Sequence, residues 1–137
     1  MCTVNLLSFV KLSLGGEFLS QILLVEDDED SCEALAELLE HQGHNAVTAY
    51  TVDEGLRLAR SGGFDLIILD NWFRIGNGIQ LCRQIRMFDP ETPVLFYSAA
   101  AYDTDIQAGL GAGANAYIVK PDIEQFLRAI NQLLYPS

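Results

Sequence analysis

Phe64-Asp65-Leu66-Ile67-Ile68-Leu69-Asp70 sets four consecutive large aliphatic residues directly before a carboxylate. A run that is apolar on both faces suits a central parallel strand covered by helices on each side. In such sheets ligands collect beyond the carboxyl ends of the strands, so Asp70 would stand where chemistry happens. Read alone, Asp70 equally suits a turn cap before Gly76 and Gly78, because Asp is a favoured turn residue. The rest of the chain decides between the two.

Working outward, Ile22-Leu23-Leu24-Val25 is a second unbroken aliphatic run, followed at once by Glu26-Asp27-Asp28-Glu29-Asp30. Cys32, Leu35, Ala36 and Leu39 then recur at helical spacing while Glu33, Glu37 and Glu40 take another face, which predicts an amphipathic helix ending near Gly43. His41 and His44 flank that end and are read as structural, since a cation in a last turn opposes the carbonyl dipole. Asn45 to Ala49 reads as a short edge strand. Thr51-Val52-Asp53-Glu54 matches a capping box, in which Thr51 and Glu54 satisfy free amides reciprocally, so a helix is expected from Val52 to Arg60 with Gly62-Gly63 stopping it.

After the central strand Leu66–Asp70, Asn77 offers another cap three residues before Gln80, and Leu81, Ile85 and Phe88 give the following helix its buried stripe. Val94-Leu95-Phe96-Tyr97 forms a strand that hands over to Ser98. Between Asp103 and Gly113, each of Gly109, Gly111 and Gly113 costs a helix interior up to ~1 kcal/mol relative to Ala, so that helix is expected to be short and marginal. Tyr117-Ile118-Val119 is the last strand and runs into Lys120-Pro121. Asp122 and Gln125 then start a helix with Ile123, Phe126, Leu127, Ile130, Leu133 and Leu134 on its core face. Five strands alternating with five helices specify an α/β protein with a single doubly wound parallel sheet covered on both sides.

With 137 residues, half of them apolar, the chain is expected to be one domain with enough core to fold unaided and no second output domain. A formal charge of −11 argues against broad nucleic-acid contact, which rests on Lys and Arg, and favours small cations and basic protein surfaces. Cys2, Cys32 and Cys82 are odd in number and lack CxxC spacing, so neither a disulfide framework nor a zinc site is indicated. Cys32 and Cys82 read as core fillers in a reducing cytoplasm. Residues 1–19 hold an apolar segment, Leu6 to Leu14, interrupted by Lys11 and closed by Gly15-Gly16. It is shorter than the ~20 residues that span a bilayer, and it has no signal-peptide pattern. The readings, in order, are a disordered or loosely packed extension, a partner-binding or self-association strand, and a membrane anchor. The folded domain is expected over 20–137.

The strand ends place Glu26 and Asp27, then Asp70, then Ser98, then Lys120 at one edge of the sheet. Two carboxylates 4 Å apart repel by ~4 kcal/mol at an effective dielectric near 20, and a divalent cation removes the conflict. Oxygen-only ligands favour Mg²⁺, which takes one or two carboxylates and leaves room for water and a phosphoryl oxygen. With that ion, Lys120 and Ser98 can hold phosphoryl oxygens and Asp70 becomes the attacking nucleophile. The plainer alternative is that Lys120 forms an ion pair with one of the acids and Ser98 ends a strand.

These residues resemble the response-regulator receiver family of two-component signalling, over roughly Gln21 to Leu134. The resemblance implies a flavodoxin-like, CheY-like fold with strand order 2-1-3-4-5. It further implies Asp70 as phosphoryl acceptor, Asp27 as a direct Mg²⁺ ligand, Glu26 acting mainly through water, and Trp72 donating its backbone carbonyl. Ser98 would be the switch hydroxyl, Tyr117 the switch aromatic that swings inward, and Lys120 the phosphate-pairing lysine. Gly78 eight residues after Asp70, and Lys120 22 residues after Ser98, match the family spacing. Arg74 departs from it, standing where the family often carries proline, and Ala100 offers no group to orient an attacking water. With the Trp72 indole overhanging the site, slow self-dephosphorylation is expected. Asp28 reads as a helix cap rather than a third ligand.

The leading expectation is therefore a single-domain phosphoacceptor switch with no enzymatic turnover beyond its own phosphorylation and dephosphorylation. Its implied donor is a sensor histidine kinase or histidine phosphotransfer protein. Its output is a downstream protein target, or a homodimer, met at the fourth helix, fifth strand and fifth helix; no direct contact with nucleic acid or membrane is expected. One alternative is a receiver-like interaction module that is not phosphorylated. Another is a phosphatase of the haloacid-dehalogenase type, whose nucleophile belongs at the end of strand one, where this chain has Val25-Glu26-Asp27.

Overall fold

A computed structural model describes residues 20–136; the calls on residues 1–19, Cys2 included, lie outside the described residues. The chain alternates strand and helix: β1 (Gln21–Val25), α1 (Glu29–His41), β2 (Asn45–Ala49), α2 (Val52–Ser61), β3 (Leu66–Leu69), α3 (Gly78–Phe88), β4 (Val94–Ser98), α4 (Asp103–Gly111), β5 (Ala116–Val119) and α5 (Ile123–Leu134). The sheet order is β2-β1-β3-β4-β5 with every pair parallel. Register sets Val25 beside Leu69 and Leu69 beside Phe96, so the central strands end level with one another. Whatever follows Val25, Leu69 and Ser98 must share one edge.

Strand alternation divides the core in two. Ile22, Leu24, Ile68, Leu95 and Tyr97 face Cys32, Leu35 and Leu39 of α1 and Phe126 and Ile130 of α5. Leu23, Val25, Ile67, Leu69 and Phe96 face Ala59, Leu81, Cys82 and Ile85 on the other side. Both faces of each central strand are dry, which is why these runs carry no polar residue. Burial pushes the Cys32 thiol up to about 12 and the Cys82 thiol up to about 11. Thiols so far from ionising are inert fillers.

Helix starts follow the local signals. Asp28, Thr51, Asn77 and Asp122 accept hydrogen bonds from the amides of Ser31, Glu54, Gln80 and Gln125. The reciprocal half of the Thr51 box differs from expectation, because the Glu54 carboxylate accepts from the Tyr50 amide rather than from that of Thr51. Two stripe residues also differ. Phe88 is 37% exposed, with the Arg60 guanidinium 5.0 Å from its ring centroid, and Ile123 at the first turn of α5 is exposed. Both sit at helix ends, where the apolar stripe runs off the edge of the sheet. The central strand stops at Leu69, although the Asp70 amide still donates to Val25 O at 3.1 Å, and α4 stops at Gly111, two residues before the expected Gly113.

Candidate functional site

The level strand ends bring Glu26, Asp27, Asp70, Ser98 and Lys120 to one edge, at a concavity of about 370 Å³ lined by the three acids, Trp72, Arg74 and Lys120 among others. Lys120 Nζ donates to Glu26 Oε1 at 2.6 Å and to Asp70 Oδ2 at 3.0 Å. All three groups are largely buried, so this is a charge-assisted bridge in reduced dielectric rather than a surface pair. Burial alone would raise Asp70, but the Ser98 hydroxyl and the Lys120 charge outweigh it and hold the carboxyl below the usual aspartate range. Burial, with the Asp70 charge adding to it, keeps Glu26 raised against the pull of Lys120. For Lys120 burial works in the opposite direction, and its two acidic partners more than offset it.

The segment after β3 wraps one carboxylate oxygen of Asp70. Asp70 Oδ1 accepts from the amides of Asn71 at 2.6 Å and Trp72 at 3.2 Å, leaving Oδ2 to Lys120. Gly78 closes this turn. A Cβ there would lie 2.0 Å from Asp70 O and 2.9 Å from the Phe96 ring, so no side chain fits. Trp72 is 61% exposed on the rim of the concavity.

Tyr117 faces inward, its hydroxyl donating to Ala100 O at 2.7 Å and accepting from Asn71 Nδ2 at 3.2 Å, with its ring stacked on Phe96 at 5.3 Å. These contacts hold the ring in that position. Asn71 and Gly109 were not singled out for this role from the sequence. Asn71 ties the turn after β3 to Tyr117, and Gly109 supplies the slot for the ring, since a Cβ there would lie 2.7 Å from Tyr117 Cδ2. The three glycines around α4 were legible, but only as helix weakeners.

Asp27 is also engaged. Its carboxylate accepts from the Arg74 amide, from Arg74 Nε at 3.2 Å, and pairs with Arg74 Nη2 at 3.1 Å. An oxygen-only set of Glu26, Asp27 and Asp70 suits a hard divalent ion. Yet among the described residues no three His, Cys, Asp or Glu side chains already converge as metal ligands. Lys120 spans Glu26 and Asp70, while Arg74 pairs with Asp27. The donor chemistry of these three acids fits Mg²⁺. Asp28 caps α1 and is committed to the Ser31 amide.

No helix of the described residues is long and apolar enough to cross a membrane. The model of the response regulator receiver domain matches residues 22–131. Response regulator ArlR of Staphylococcus aureus is 41% identical over 117 residues, covering 85% of this chain and 53% of that protein. The chain thus spans about half the length of the curated relatives it matches. The non-phosphorylated HemR receiver domain of Leptospira biflexa aligns with a TM-score of 0.79 at 34% identity, covering 86% of this chain and 96% of that one. A CheY-like receiver domain protein of Methanospirillum hungatei aligns with a TM-score of 0.80 at 28% identity, covering 85% and 94%. With the sheet order, the lysine-bridged acids and this match in agreement, the chain belongs to the response regulator receiver family.

Proposed function

We propose that this chain is a phosphoacceptor switch in which Asp70 takes a phosphoryl group from the phosphohistidine of a sensor histidine kinase or histidine phosphotransfer protein. The observation that carries this reading is the Lys120 ammonium held 3.0 Å from Asp70 Oδ2 at the open edge of the sheet. Asp70 stays a carboxylate and so keeps a nucleophilic oxygen. That oxygen attacks phosphorus as the bond from phosphorus to the imidazole nitrogen breaks, and the electron pair leaves with the imidazole. Lys120 and the Ser98 hydroxyl then hold the oxygens of the transferred group. Asp27, Asp70, the Trp72 carbonyl and, through water, Glu26 would hold Mg²⁺, which neutralises charge gathering on those oxygens.

Output runs through Ser98 and Tyr117 to the surface of α4, β5 and α5, where a target protein or a second copy docks. The glycine-weakened α4 supports that role, because switching elements come from the less stable parts of a fold. The free, buried Cys32 and Cys82 support a reducing, cytoplasmic setting.

Incubation with acetyl phosphate and Mg²⁺ tests the reading by intact mass. One phosphoryl group is gained by the parent chain and none by Asp70→Asn; no gain in the parent with any donor overturns it. A second reading, an interaction module that is never phosphorylated, draws on one observation, the engagement of Asp27 by Arg74.

A further inference from the structure

We infer that Arg74 is a built-in competitor for the divalent cation: its guanidinium occupies Asp27 and must release it before Mg²⁺ binds. The inference rests on the phosphoacceptor reading and adds a level of control to that site. Four carboxylates, of Glu26, Asp27, Asp28 and Asp70, line the concavity with two protein cations, Lys120 and Arg74, so about half of its negative charge is already paired from within. The two cations are not equivalent. Lys120 has a side chain 21% exposed and is locked between two buried acids, whereas the Arg74 side chain is 84% exposed and touches only Asp27 among the acids.

An exposed guanidinium gives up its partner cheaply, because water replaces the lost hydrogen bonds. Arg74 is therefore the cation that leaves. It stands on the wall between the acidic concavity and a neighbouring groove of about 480 Å³ lined by Tyr50, Val52, Phe73 and Ile75, which gives the displaced side chain room. The fork matters as well as the charge. Nε and Nη2 meet Asp27 Oδ1 together, which a lysine cannot reproduce. The consequence is a raised Mg²⁺ requirement for occupying the site, set by one exposed residue.

The test is a Mg²⁺ titration without any phosphoryl donor, read by calorimetry and by the fluorescence of Trp72, the single tryptophan, on the rim of the site. Arg74→Gln should lower the midpoint by about two- to fivefold, as expected for removing one exposed pair. Arg74→Lys keeps the charge, loses the fork, and should show at least half of that lowering on a logarithmic scale. Equal midpoints in parent and Arg74→Gln overturn the competition while leaving the phosphoacceptor reading intact. A shift in Arg74→Gln with Arg74→Lys matching the parent also overturns it, because bulk charge then suffices. If none of the three proteins takes up Mg²⁺ at millimolar concentration, the phosphoacceptor reading falls and the competition with it.

Discussion

Gly109 and Gly111 lie two residues apart in α4, and replacing each by alanine should move stability in opposite directions. A glycine in a helix costs about 0.5–1 kcal/mol relative to alanine, so on propensity alone both changes stabilise. At Gly111 nothing lies within 4 Å of the added methyl group, so Gly111→Ala should be stabilising by a few tenths of a kcal/mol up to that value. At Gly109 the same methyl would stand 2.7 Å from Tyr117 Cδ2, 3.0 Å from Cε2 and 3.2 Å from Phe96 Cδ2. The Tyr117 ring must leave. It then loses the hydrogen bonds to Ala100 O and from Asn71, about 1 kcal/mol each, and the stack on Phe96, about 0.5–1.5 kcal/mol. Set against the helical gain, Gly109→Ala should be net destabilising by about 1.5–3 kcal/mol. Urea unfolding of the two variants and the parent measures this directly. Shifts of the same sign in both variants would refute the claim that Gly109 is a slot for the Tyr117 ring. A destabilised Gly109→Ala whose tyrosine resonances match the parent would refute the mechanism.

Arg86 donates to Asp89 O at 2.9 Å, Thr92 O at 2.7 Å, Gly113 O at 2.9 Å and Asn115 Oδ1 at 3.0 Å, tying the loop before β4 to the loop before β5. Arg86→Lys should therefore cost about 2–4 kcal/mol in chemical denaturation, because an ammonium cannot reach four acceptors in fork geometry; a loss under 1 kcal/mol would count against this. His44 is buried with Nδ1 unpartnered, and burial lowers its pKa from 6.5. The unfolded chain then binds the proton more tightly, so this contribution is whole above about pH 6.5 and is lost as pH falls through the lower folded value. The parent's urea midpoint should drop between pH 7.5 and 5.5 by more than that of His44→Leu, and parallel pH profiles would show otherwise. On the phosphoacceptor reading, Trp72→Asn should shorten the lifetime of the phosphoryl group on Asp70, because it removes the bulkiest side chain on the rim of the site; an unchanged lifetime in a hydrolysis time course argues that water enters elsewhere.

Much of the fold was legible because the signals are local. Unbroken aliphatic runs such as Ile22–Val25 and Leu66–Leu69 require a sheet covered on both faces, and caps such as Asp28, Asn77 and Asp122 bond amides three residues on. The acids and the lysine of the site were legible for the same reason, since each directly follows a strand and parallel strands in register deliver their ends to one edge. Only the folded chain settled the pairing of side chains across that edge. Arg74 reaches an acid 47 residues away and Asn71 a tyrosine 46 residues away, in directions set by the loop after β3 rather than by any periodicity. Gly109 likewise reads as a weak point in a helix until the ring of Tyr117 is placed against it. Sequence order encodes faces and turns over a few residues, whereas the choice of hydrogen-bond partner depends on distances that exist only after the layers have packed.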